Sequence, residues 1–154
     1  VLGLAAAASI NAASSTAVFQ VSATVSASCN VSATNVAFGA ITPAATGVAQ
    51  ATGTITSTCT KTTPYTLSIN KGVAPTYATR TMAGTGGNTD LLNYNLYTSN
   101  AYTTIFGDAT ESTQTVGGTG TGVAQATTVY GQLSLNQYIK PDAYTDNLIV
   151  TLSY

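Results

Sequence analysis

Between residues 17 and 29 apolar and polar side chains alternate, with Val18 the one exception. Ala17, Phe19, Val21, Ala23, Val25, Ala27 and Cys29 fall on one side and, after Val18, Gln20, Ser22, Thr24, Ser26 and Ser28 on the other. A period of two is that of a β-strand, whose successive side chains point to opposite faces. The segment therefore reads as a strand with one greasy and one wet face. It precedes every other strand signal in the chain, whereas a sandwich strand normally sits inside its own domain's pattern. A strand placed there is free to pair elsewhere.

The rest of the chain repeats the β signature: Thr, Val, Ile and Tyr in short runs separated by Gly, Asn and Pro. Strands are expected at residues 35–39, 49–59, 65–70, 91–97, 104–106, 127–135 and 147–154. In the last of these Leu148, Val150, Leu152 and Tyr154 share a face. The stretch VGGTGTG at 116–122 is too rich in glycine for a strand interior and is expected to be a mobile loop. Seven or eight strands with turns between them point to an all-β sandwich.

Charge excludes several functions. In 154 residues there are 4 Lys+Arg and 5 Asp+Glu, so 6% of the chain is charged, against about 25% in an ordinary soluble domain. Thr occurs 30 times and must solvate the surface in place of charges. The cations Lys61, Lys71, Arg80 and Lys140 are isolated and the net charge is −1, so a row of phosphates cannot be neutralised and nucleic acid is not an expected partner. Histidine is absent, which removes the side chain best suited to proton transfer near neutrality and the commonest metal ligand. No cofactor, metal or enzymatic activity is expected. No apolar run is long enough to span a membrane, so bilayer insertion is not expected either.

Cys29 and Cys59 are the only cysteines. Their even count suggests one disulfide and an oxidising compartment; the competing reading is two buried thiols in a reducing one. Residues 1–8, VLGLAAAA, followed by Ser9, Ile10, Asn11 and Ala12, read as the tail of a secretory leader cleaved after Ala12 or Ala13. That favours the disulfide.

Other features have plain readings. Thr52, Thr54, Thr56 and Thr58 form one polar row, too short for an ice-binding array and expected to be the solvated face of a strand. Asp142 and Asp146 flank Tyr144; a paired-carboxylate site would need a third convergent group, so turn capping is expected. The tyrosines, nine in all, are expected at core rims and subunit contacts, with a glycan-stacking platform as the other reading.

Several segments, in order, resemble the spore coat protein U domain family, which includes subunits of archaic (Csu-type) chaperone-usher pili. They are the alternating run from Phe19 to Cys29, then Phe38-Gly39, Thr58-Cys59 and PYTLSIN at 64–70. LNYNLY at 92–97 and TTIFGD at 103–108 follow, then Val129-Tyr130-Gly131, Gln137, Pro141, Tyr144, Asp146 and a final strand ending at Tyr154. Asp142 stands where glycine is expected in the family, and Asn100-Ala101-Tyr102 replaces a stretch that often carries a charge.

The resemblance implies an incomplete Ig-like β-sandwich completed by a donor strand from a neighbouring subunit. It implies a leader remnant at 1–12, a donor segment at 13–28 and a pilin domain at 29–154. Phe19, Val21, Ala23 and Val25 would insert into the neighbour's cleft, with Leu148, Val150, Leu152 and Tyr154 forming the cleft wall and the chaperone contact. The implied partners are identical subunits in a homopolymer, a periplasmic chaperone and an outer-membrane usher. The implied location is an extracellular pilus serving adhesion and biofilm formation. A self-contained secreted coat or carbohydrate-binding module, with its first strand folded back on its own domain, is the alternative.

Overall fold

Threonine and other β-branched residues, interrupted by Gly and Asn every few positions, give the chain little helical propensity and many places to turn. A computed structural model describes residues 11–154, and among them there is no helix. The expected leader remnant at 1–12 lies outside the described residues except for Asn11 and Ala12. Eight strands form: β1 (Cys29–Ala33), β2 (Val48–Cys59), β3 (Pro64–Ile69), β4 (Arg80–Ala83), β5 (Leu91–Tyr97), β6 (Val116–Thr119), β7 (Gln125–Ser134) and β8 (Val150–Ser153). They build two antiparallel sheets, one in the order β1-β2-β7-β5-β4 and one in the order β6-β3-β8.

The inward positions of both sheets meet in one core. Ile55 of β2, Leu67 and Ile69 of β3, Leu96 of β5 and Val129 and Leu133 of β7 are all buried there, joined by Phe106 from a loop. Period-two alternation puts them there: in β2, Ile55, Ser57 and Cys59 point in, Thr52 and Thr58 stand in solvent, and Thr54 and Thr56 are half-buried. Cys29 and Cys59 face each other across the β1–β2 ladder and form the disulfide. Closing that loop of 30 residues stabilises the fold by about 3–4 kcal/mol on the chain-entropy account.

The strands at 49–59, 65–70, 91–97 and 127–135 are found close to where the alternation places them. The structure differs elsewhere: the expected strand at 17–29 is unpaired before Cys29, β1 continues to Ala33 where no strand was expected, and β8 covers only 150–153 of the expected 147–154. Residues 116–122 are not a loop throughout, because Val116–Thr119 pairs with β3 as an edge strand. One of its glycines is required there: a Cβ at Gly118 would stand 2.5 Å from the Tyr65 ring, so only glycine lets β6 lie under that tyrosine. Residues 104–106 contribute isolated bridges, Tyr97 to Ile105 and Phe106 to Gln114, in place of a strand. Residues 35–39 enter no ladder, and β4, of four residues, had no sequence signal of its own.

Arg80 is the largest departure. It is fully buried, so this isolated cation is withdrawn from solvent altogether. Its Nε and Nη2 donate to the carbonyl of Asn70 at 3.2 and 3.0 Å, Nη2 also to that of Phe106 at 2.7 Å, and Nη1 to Asn95 Oδ1 at 2.8 Å. The guanidinium carbon lies 5.0 Å from the centre of the Tyr77 ring, a cation–π distance. Burial holds its pKa below the usual arginine value and pushes that of Tyr77 up to about 12.

Candidate functional site

The most exposed apolar side chains precede β1. Val18, Phe19, Val21 and Val25 are 103%, 84%, 84% and 86% exposed, and Ala23 is exposed as well. Residues 11–28 form an arm that belongs to no strand. The arm is attached at its base, where Thr60 N–H donates to the Ser28 carbonyl at 2.9 Å and Ser28 N–H to Thr60 Oγ1 at 3.2 Å.

The second half of the site is a cleft of about 960 Å³ at the end of β1 remote from the arm. One wall is a strap, residues 33–41; the other is the segment 139–148 running into β8 at Val150. The floor is core: Ile55, Ile69, Leu92, Tyr94, Leu96 and Val129.

The strap's path follows from two glycines. After Thr34, whose N–H donates to the Thr54 carbonyl at 2.8 Å, the chain leaves β1 and crosses the inner face of the larger sheet. Val36 passes over Gly53 of β2 and Gly131 of β7, and Phe38 reaches the ring of Tyr94 on β5, edge to face at 6.3 Å. A side chain at either glycine would occupy the strap's position. Beyond Thr34, no hydrogen bond ties the backbone of residues 35–43 to the rest of the described protein. β8 pairs with β3 on one side only, as the edge of its sheet. Two backbone edges without ladder partners thus flank an apolar floor.

The far wall is held by polar contacts at its rim. Asp142 accepts from Thr85 N–H at 2.9 Å, from Thr85 Oγ1 at 2.5 Å and from Asn88 Nδ2 at 2.8 Å, tying residues 85–88 to this wall. These bonds, Thr85's first, hold its carboxyl well below the usual range. Tyr144 donates to the carbonyl of Lys140 at 2.7 Å, a tyrosine corner. Tyr94 donates to Asp146 Oδ2 at 2.7 Å, and burial pushes the Tyr94 phenol up. Asp142 and Asp146 thus tie this wall to residues distant in sequence, Thr85 and Asn88 in one case and Tyr94 in the other, where turn capping was expected, and they share no catalytic geometry. Among the described residues no three His, Cys, Asp or Glu side chains gather as a metal site, and no helix is long and apolar enough to cross a membrane.

Of the residues singled out from the sequence, Leu148 and Val150 line the cleft. Leu152 packs against the core outside the cleft lining, and Tyr154, at 63% exposure, is also outside it. Phe19, Val21, Ala23 and Val25 are on the exposed arm. Sequence reasoning missed the strap as a wall and Gly53 and Gly131 as its seat. Gly53, between Ala51 and Ile55, and Gly131, between Val129 and Leu133, each interrupt the inward apolar row of a strand, which was the available signal for a close backbone approach.

Two antiparallel sheets around one core, with an edge left open, define an all-β domain of Ig-like type. Residues 15–151 match the Spore Coat Protein U domain, and the chain belongs to that family. In fold it is similar to a chain of the crystal structure of the CsuC–CsuE chaperone–tip adhesion subunit pre-assembly complex from the archaic chaperone-usher Csu pili of Acinetobacter baumannii. The TM-score is 0.59 and the identity 20%, over 85% of this chain and 41% of that one. This chain therefore spans less than half the length of that neighbour. No curated protein matches it.

Proposed function

We propose that this chain is a structural pilin subunit, not an enzyme, that polymerises head-to-tail by donor-strand exchange into an extracellular chaperone-usher pilus. The observation that carries this is the coexistence of an unpaired arm of alternating apolar residues and an unpaired apolar cleft in one molecule. Each alone is an aggregation hazard, and each removes the other's when a strand is added. Phe19, Val21, Ala23 and Val25 supply the inward face of the donor; Leu148, Val150, Leu152 and Tyr154 belong to the acceptor side and its chaperone contact. The domain boundaries are an arm at 13–28 and a pilin body at 29–154.

Burying Phe19, Val21 and Val25 contributes about 1.5–3 kcal/mol each, and each ladder hydrogen bond about 1 kcal/mol. One arm and one cleft per subunit form a heterologous contact, which propagates as an open filament. A periplasmic chaperone covers the cleft before assembly, an outer-membrane usher is the site of polymerisation, and adhesion and biofilm formation are the roles of the finished fibre. Family membership and the pilus complex among the fold neighbours support this reading.

Deleting residues up to Val25 tests it. The truncated subunit is expected to bind chaperone and to give a clean monomer on unboiled SDS gels, where the parent gives a ladder. Ladders from both, or from neither, overturn the reading; a parental monomer favours the self-contained module.

A further inference from the structure

Three of the nine tyrosines meet on the outer face of the larger sheet. Val129, Gly131 and Leu133 of β7 are buried on its inner face, so Tyr130 between them points out. It is paired with Tyr97 of β5 on one side and with Thr52 of β2 on the other. Directly opposed residues share a face, and the three therefore form one row across three strands, about 10 Å wide.

The turn after β5 brings a third ring to this row. Thr98 N–H donates to the Thr104 carbonyl at 3.0 Å and Tyr102 N–H to that of Ser99 at 3.2 Å, while Tyr102 takes a φ of 52°. A left-handed backbone is strained for an aromatic residue and persists only where its surroundings fix it. Here it sets the Tyr102 ring edge to face between Tyr97, at 5.6 Å and 79°, and Tyr130, at 6.3 Å and 86°. All three tyrosines are half-buried, so the rings are held by packing and still reach solvent.

Hydroxyls and amides surround them. The opposed pair Thr54 and Thr128 flanks the row on one side and the pair Gln50 and Gln132 on the other. The side chains of β2, β5 and β7 that form hydrogen bonds are Ser57, Asn95 and Ser134. Among the described residues none of those bonds reaches the three phenols, Thr52 or the two flanking pairs. These three strands and the turn at 98–106 contain no Lys, Arg, Asp or Glu.

That chemistry selects an occupant. A phosphate-bearing or acidic polymer would meet no cation. An apolar partner would bury the amides and hydroxyls without replacing their bonds to water. An uncharged sugar supplies both halves, with C–H groups for the electron-rich faces of the rings and hydroxyls that donate and accept.

We propose that the outer face of β2, β7 and β5, centred on Tyr97, Tyr102 and Tyr130, binds neutral polysaccharide. The face lies across the sheet from the strap and the cleft floor, so the inference stands apart from the assembly reading.

An array of immobilised oligosaccharides, probed with the refolded full-length subunit, tests it. Neutral gluco-, manno- and galacto-oligosaccharides are set beside uronate and sialylated ones. Binding to at least one neutral class is expected, with the signal at least tenfold lower for Tyr102→Ala and Tyr130→Ala. Tyr138→Ala, at a residue 72% exposed but outside this face, is expected to bind as the parent does, and all three variants to give the parental unboiled ladder. A parent that binds no neutral sugar, or binds only the acidic ones, overturns the inference, as do platform variants that bind equally. Loss of the ladder together with binding would make the face a contact between copies and overturn it too. Nitration by tetranitromethane gives a second measurement on the parent alone, should the variants not fold. The neutral oligosaccharide is expected to protect Tyr102 and Tyr130 and not Tyr138, and identical nitration with and without it overturns the inference.

Discussion

Val36 lies on the backbone of Gly131: a Cβ at that glycine would stand 2.6 Å from Val36 Cγ1 and 2.9 Å from Phe38 Cζ. One strand earlier, a Cβ at Gly53 would stand 2.8 Å from Val36 Cγ2 and 2.9 Å from the Thr34 carbonyl oxygen. The two glycines are diagonal neighbours in the β2–β7 ladder, where Gly53 pairs with Val129 and Gly131 with Ala51. Together they make a shallow track across the inner face of the sheet. The near wall of the cleft is therefore placed by what two positions lack.

Gly131→Ala is expected to lift the strap and destabilise the protein by about 1–3 kcal/mol, the usual cost of overpacking. Gly53→Ala should act in the same direction, since the Thr34 carbonyl it would meet is backbone and cannot rotate away. Urea titration checks this as a lower midpoint at unchanged slope. A midpoint within error of the parent would mean that the strap has another seat.

How much of this was legible in the sequence depends on whether an element announces itself by period. β5 begins at Leu91 and ends at Tyr97 as the alternation indicates, and β2 and β7 are found within two residues of their expected bounds. The strap has a strand's alternation, with Val36 and Phe38 between smaller residues, yet it runs across strands and pairs with none, a difference made by the fold and not by the local sequence. β6 has the composition of a loop because glycine weakens a strand on average, whereas here Gly118 must make room for the Tyr65 ring. The burial of Arg80 has no sequence signal, since arginine almost always stays in water; nothing adjacent in sequence shows that Asn70, Asn95 and Phe106 will converge on it.

That convergence carries a second prediction. Arg80→Met keeps most of the volume but strips donors from Asn95 Oδ1 and from the carbonyls of Asn70 and Phe106. The carbonyls of Asn70 and Phe106 are orphaned, while Asn95 Oδ1 keeps Leu96 N–H; at about 1–3 kcal/mol for each orphan, and with the removed desolvation of the charge offsetting part, the net loss is expected to be about 1–4 kcal/mol. Arg80→Lys should recover little of it, because one ammonium cannot reproduce a fork that serves three oxygens. Chemical denaturation of the three proteins decides; an Arg80→Met variant as stable as the parent would show the network to be dispensable.

Acid should remove the contribution of the far wall's rim to stability. The Asp142 carboxyl is held below its ordinary value by Thr85 and Asn88, whereas in the unfolded chain it titrates near the reference of about 3.9. Its contribution is thus present above about pH 4 and is lost as pH falls from there towards the lower folded value, because the unfolded state takes up the proton more readily. Melting midpoints between pH 7 and pH 2 should fall less steeply on the acid side in Asp142→Ala than in the parent. Parallel curves would show that these exposed bonds carry no net stability.

The last strand separates two roles that its sequence pattern treats alike. Leu148 and Val150 line the cleft, while Leu152 packs against the core outside it and Tyr154 is largely exposed. A carboxylate at 148 would be desolvated by any strand that filled the cleft, at a cost of several kcal/mol, so Leu148→Asp is expected to cut the unboiled ladder by more than a hundredfold. The outward-facing Thr151→Asp should leave assembly near the parental level. A melting curve on each variant first establishes that the body at 29–154 is folded. A folded Leu148→Asp subunit that laddered like its parent would place the incoming strand somewhere other than beside β8.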